Sequence, residues 1–148
     1  MVNMVSKKGM MVVFVVMGMA MMLPLQAFSA VCFRSASVAD PTKLDDIKVT
    51  VSGPQTEEFF SLVGEAIRGS CLPTQRESAP LVGAARIRAD GAAYISLFIG
   101  GTASCRPVVI HGKLFPPGFN SGTGMIDNPS LNTRESVNFF PIPCPVLP

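Results

Sequence analysis

Tryptophan is absent from this sequence, tyrosine and histidine occur once each, and charged residues make up only 15%. So few polar aromatic rings argue against a stacking platform for sugars or single-stranded nucleic acid. The charged fraction lies well below the roughly 25% usual in soluble domains. Hydrophobic residues reach 48%, which argues against wholesale disorder. No CxxC pair occurs, so zinc-knuckle and thioredoxin-like chemistry have no basis. GxSxG is missing too, as is the ligand spacing of an EF-hand after Asp45-Asp46, although both would be recognisable in sequence. The glycines of GFNSGTG at 118–124 lack the lysine that follows a phosphate-binding loop. At 148 residues the chain has room for one domain.

What is present is concentrated at the N-terminus. Eight of the 9 methionines lie between Met1 and Met22. Lys7 and Lys8 precede an apolar stretch from Met10 to Leu23, Pro24 breaks it, and the small residues Ala27, Ser29 and Ala30 follow. That order is the layout of a secretory signal peptide, and the stretch is short of the roughly 20 residues that span a bilayer. Residues 1–29 are therefore expected to be a signal peptide, cut before Ala30 or close to Ala27 or Ala30. Residues 30–148 would form a single exported domain with a proline-rich tail, secreted or periplasmic. Membrane contact would come only through the leader, if it stays uncleaved. Gly9 after two lysines resembles a type IV prepilin leader, but Phe14 stands where that family carries glutamate.

Lys7 and Lys8 account for the whole formal net charge of +2, so the expected mature chain is neutral. A nucleic-acid partner wants a positive excess, and none remains. All four cysteines, Cys32, Cys71, Cys105 and Cys144, fall in the exported part. An even count in an oxidising compartment predicts two disulfides. Three connectivities are open; Cys71–Cys105 with Cys32–Cys144 is preferred, because the first pair flanks the central segment and the second ties the ends. Each bridge is worth about 3–4 kcal/mol through the unfolded chain.

Along the body, LDDIKVTV at 44–51 puts Ile47, Val49 and Val51 on one side of a strand and Lys48 and Thr50 on the other. Segment 57–68 fits alternation poorly. Phe59, Leu62, Val63, Ala66 and Ile67 form a helical stripe, Thr56 is placed to cap it and Gly69 to end it. A helix is predicted there. Asp90-Gly91 is a hairpin turn. A three-residue loop Ala89-Asp90-Gly91 sets Ile87, Ala85, Gly83 and Leu81 opposite Ala93, Ile95, Leu97 and Ile99, all on one face. It also sets Arg86 against Tyr94, a cation–π pair. Further strands are expected within 105–115 and 136–140, and 116–129 is either one long loop or two short loops around a strand at 124–127. The predicted fold is α+β: one helix packed on a small antiparallel sheet of four or five strands, stapled by disulfides. The fallback is an all-β sandwich or barrel with segment 57–68 as strand.

Chemistry is sparse. His111 lies in an apolar run, and neither Ser104 nor Ser121 has the setting of a catalytic nucleophile. No catalytic residue, metal ligand or cofactor is assigned. Candidate binding residues are Phe119, either an exposed anchor or a core plug, and Arg86, Arg88 and Tyr94, with Arg106 as a possible extension of the positive stripe. The leading expectation is a non-catalytic envelope or secreted module that binds another protein. The alternatives are a small secreted hydrolase or hydrolase inhibitor, and a pocketed β-protein that carries an apolar ligand.

Overall fold

The computed structural model describes residues 30–54, 58–72 and 74–144. The expected signal peptide, the Thr56 cap and the end of the tail at 145–148 lie outside them. The strands are β1 (Val31–Ser37), β2 (Leu44–Pro54), β3 (Phe59–Arg68), β4 (Glu77–Ile87), β5 (Ala93–Ile99), β6 (Val108–Leu114), β7 (Gly122–Asn128) and β8 (Thr133–Pro141). Each pairs antiparallel with the next, and β8 returns to pair with β1, closing an eight-stranded barrel. Closure removes the exposed edges that an open sheet would have to protect.

The α+β expectation is overturned: among the described residues there is no helix, and the predicted helix at 57–68 is strand β3. The reason lies in its two faces. Leu62, Ala66 and Arg68 are buried inside, while Phe59 and Val63 are exposed outside. Apolar residues on both sides of a strand erase the period-two signal and leave a helical stripe to be traced across the two faces. Arg68, read as a residue of the last helical turn, is instead an inward residue at the end of a strand. The four or five strands expected become eight. Strand β1 lies at Val31–Ser37, where no strand is expected from the sequence, and β4 begins at Glu77, ahead of the hairpin stretch read from Leu81.

Where one face is apolar and the other is not, the sequence is transparent. The β4–β5 hairpin has the register set by the three-residue loop, from Ile87↔Ala93 to Leu81↔Ile99. Gly91 takes φ +78°, the left-handed conformation that favours glycine. Its N–H donates to Arg88 O at 2.8 Å, closing the turn.

The interior is filled at its waist. Phe33, Ile47, Leu97, Ile99 and Ile110 are fully buried, and Phe139 meets Phe33 edge-on with 5.2 Å between ring centroids. Gly112 and Gly124, paired across β6 and β7, make room for this ring. A Cβ on Gly112 would lie 2.5 Å from Phe139 Cε2, and one on Gly124 would lie 2.7 Å from Cζ. The four cysteines pair as Cys32–Cys144 and Cys71–Cys105, the connectivity preferred from the sequence.

Outside, Arg34 Nε and Arg76 Nη2 both reach the Asp46 carboxylate, at 2.6 and 2.5 Å. Burial pushes the Asp46 carboxyl up, but the hydrogen bonds from Arg34 and Arg76 outweigh it and hold the group below the ordinary carboxylate range. A carboxylate held down in this way stabilises the fold fully above its unfolded pKa of about 4, and the contribution fades as pH falls through the lower folded value.

Two measurements check this account. Phe139→Ala empties the waist and should cost about 3–5 kcal/mol in urea unfolding. Asp46→Asn should destabilise the protein at neutral pH, and the difference from the parent should vanish once the solution is acid enough to protonate Asp46 in the fold.

Candidate functional site

Strand alternation gives the barrel two unlike mouths. One is formed by the starts of β1, β3, β5 and β7 and the ends of the other strands. Inward residues there are Val31, Val51, Phe60, Ile87, Ala93 and Leu114. Above them stands Phe119, on the loop between β6 and β7. Together these side chains line an open hollow of about 190 Å³, and every residue lining it is apolar. Phe119 is half-buried and packs against the core cluster, at φ +52°. Its N–H donates to Phe115 O at 3.0 Å, which fixes the turn that aims the ring inward. Of the two roles open to it in the sequence, it takes that of a wall over the core. The Cys32–Cys144 bridge joins the start of β1 to the residues just after β8, at this same end.

The opposite mouth is polar. Asp45 and Arg68, 1% and 2% exposed, form an ion pair with Arg68 Nε 3.3 Å from Asp45 Oδ2. Asp45 also accepts from Gly69 N at 2.9 Å, Ser70 N at 3.0 Å and Ser70 Oγ at 3.0 Å. Arg68 Nη1 donates to Gly100 O at 3.3 Å and Arg106 O at 3.1 Å. The pair thus ties the start of β2 and the turn after β3 to the loop that carries Cys105, itself stapled to Cys71. Ser37 Oγ donates to Glu135 Oε1 across the β1–β8 seam. A cavity of about 390 Å³ opens over this floor.

The remaining sequence candidates are scattered over the outside. Arg86 stands opposite Tyr94 in register, but its guanidinium lies 5.0 Å from the Phe59 ring and 3.2 Å from Glu58 Oε2. It is Arg88 that stacks on Tyr94, at 4.5 Å, with Lys113 5.3 Å from the same ring. Lys113 in turn pairs with Asp90 at 2.8 Å. The stripe is therefore a set of local pairs. Arg106 is not part of it, because it stands at the polar mouth. His111 points outward and is exposed, with Nε2 3.8 Å from Asp127 Oδ2. Among the described residues no hydroxyl lies within hydrogen-bond distance of its ring. Ser104 lines the polar mouth and its N–H donates to Glu77 Oε2 at 3.1 Å. Ser121 accepts from Phe115 N at 2.9 Å through its carbonyl. Asp45 and Asp46, adjacent in sequence, face opposite sides of the sheet and cannot share an ion. Among the described residues no three His, Cys, Asp or Glu side chains gather as a metal site would need.

Sequence reasoning passed over Asp45, Arg68, Ser35 and Asn128. A signal existed for the first two. Asp45 is in phase with the inward Ile47, Val49 and Val51, and Arg68 is in phase with Leu62 and Ala66. Two opposite charges in inward phase on neighbouring strands mark an internal pair. Compared with protein-family models, curated proteins and solved structures, the chain matches none.

Removing the Asp45 charge leaves Arg68 buried without its counter-ion. Asp45→Asn should cost about 3–5 kcal/mol in chemical unfolding. Arg134→Ala, which breaks the exposed pair with Asp127, should change stability little by the same measurement.

Proposed function

We propose that this protein is a non-catalytic, exported β-barrel that carries a small apolar ligand in the cavity beneath Phe119. The observation that carries the reading is a hollow of about 190 Å³, open at the barrel mouth and lined by hydrocarbon alone. A dry apolar cavity of about 150 Å³ is already enough to take up benzene. The space here fits one aromatic ring or a short branched alkyl chain, not a long lipid. Eight-stranded barrels are wide enough to hold one small ligand at a mouth. Apart from the polar mouth, with its Asp45–Arg68 pair and serines, inward residues are apolar, and the outer surface carries the ion pairs of Asp46, Glu58, Asp90 and Asp127, which a lipid-embedded barrel would have to bury in hydrocarbon. Export is part of the proposal, because two disulfides persist in an oxidising compartment. It places the carrier in the periplasm or outside the cell.

A second reading, a protein-docking module, rests on one row of the outer surface. Val63, Val82 and Phe98 are neighbours in register across β3, β4 and β5, and all three are exposed. The two readings use opposite faces of the same strands, so they separate cleanly.

Titration with toluene, followed by the methyl and ring resonances of Leu114, Phe60 and Phe119, should give saturable shifts. Ala85→Leu, which fills the cavity from β4, should abolish them while the circular dichroism spectrum stays that of the parent. Replacing Val82 and Phe98 by serine should leave toluene binding unchanged. Absence of saturable shifts, or shifts that persist in folded Ala85→Leu, would contradict the carrier reading.

A further inference from the structure

We propose that the polar mouth is a second binding site, for a small carboxylate that bears a hydroxyl or amino group beside its acid. This mouth lies at the far end of the barrel from the apolar cavity, with Phe33, Ile47, Leu97 and Phe139 packed between the two. The proposal is independent of the carrier reading.

Three buried polar atoms stand around the polar mouth: Ser35 Oγ and Asn128 Oδ1 have no hydrogen-bond partner among the described residues, and Arg68 Nε, though 3.3 Å from Asp45 Oδ2, is not aligned to donate to it. Ser35 is 1% exposed and Arg68 2%, and all three residues line the cavity of about 390 Å³. Native interiors rarely leave such groups unpaired, because each has lost its water without gaining a substitute. Here they stand on β1, β7 and β3, on different sides of one opening. A single molecule seated between them can satisfy more than one.

The free valences define the chemistry. Asn128 Oδ1 accepts only, so the occupant must bring a donor. Ser35 Oγ both donates and accepts. The Asp45 carboxylate is already committed to Gly69, Ser70 and Arg68, so it neither recruits a cation nor repels an anion as a bare charge would. At the rim, Lys43 and Arg106 line the opening and form no ion pair among the described residues. Against them stands one carboxylate, Glu135, which already accepts the Ser37 hydroxyl. Two cations outside any ion pair, one of them near enough to Asp40 to add to the Thr42 hydrogen bonds that hold its carboxyl down, stand over a compensated floor and favour an anionic group at the entrance. A donor must then reach Asn128 and Ser35 below it. Carboxylate and adjacent hydroxyl or ammonium on one short skeleton meet both demands. No aromatic ring lines the opening, so nothing there favours a stacked sugar or base.

The test is a backbone-amide NMR titration of the exported chain with malate, with succinate, which lacks the hydroxyl, and with inorganic phosphate. Malate should saturate, with the largest shifts at Ser35, Asn128 and Arg106. Succinate and phosphate should bind at least about tenfold more weakly, since a site built around a hydroxyl discriminates against its loss. Ser35→Ala should bring malate down to the level of succinate. The double variant Lys43→Ala, Arg106→Ala, altered only at exposed positions, should weaken malate by about tenfold or more without disturbing the fold. Equal affinities for all three anions would mean that surface cations alone attract them, and would overturn the proposal. No saturation with malate, or saturation untouched in the double variant, would overturn it as well.

Discussion

The pairing of β1 with β8 governs the rest of the molecule. Once Phe33 to Ser37 are hydrogen-bonded to Val137 to Pro141, no strand is free to turn over. Strand residues are then assigned to the inside or the outside by parity, save where the register of β2 shifts between Val51 and Gly53. The seam is reinforced from within by Phe33 against Phe139 and from the polar end by Ser37 on Glu135. The Cys32–Cys144 bridge, spanning 112 residues, ties the two seam strands at one end, and Cys71–Cys105, spanning 34, staples the β3–β4 loop to the β5–β6 loop at the other. Each restricts the unfolded chain more than it shapes the native one.

A closed interior with a packed waist leaves a hollow at each of the two mouths. The residues that face inward change character along the barrel axis. On β1 they run Val31, Phe33, Ser35, Ser37; on β2, read in the opposite direction, Val51, Val49, Ile47, Asp45. The same gradient on adjacent strands produces an apolar hollow at one end and a hydrogen-bonding one at the other. In the apolar hollow no lining side chain bears a polar atom, and in the polar one the Ser37 and Ser70 hydroxyls donate to the Glu135 and Asp45 carboxylates. His111, the one imidazole, is outside the barrel, paired only with Asp127 on an open sheet surface.

How much of this was legible in the sequence follows from how each strand divides its faces. β2, β4 and β5 carry apolar residues inside and polar or small ones on most outward positions, so their existence and the β4–β5 register could be read directly. β3 presents Phe59 and Val63 to solvent as well as Leu62 and Ala66 to the core. Its alternation was hidden and a helix was read in its place. β1 was missed because its inner face passes from Phe33 to Ser35 within two residues, leaving too short an apolar pattern to recognise. β7 was read short because Gly122 and Gly124 contribute no side chain to a pattern, although the second makes room for Phe139. Phe119 was visible as an aromatic ring in a glycine-rich loop, but its direction depends on a backbone turn that spacing does not encode. The polar mouth was invisible so long as Arg68 was taken as the last turn of a helix. Its inward phase acquires meaning only when β3 is a strand beside Asp45.

Closure of the barrel is the claim on which the two mouths depend, and the β1–β8 seam tests it most directly. Cross-strand proton contacts should be recorded by NMR between Arg34 and Phe140 and between Ala36 and Asn138, with amide exchange followed along both strands. The account predicts both contacts, and exchange in β1 and β8 as slow as in β4 and β5. Rapid exchange along β1 with no contact to β8 would show an open sheet, and neither hollow would then exist as described.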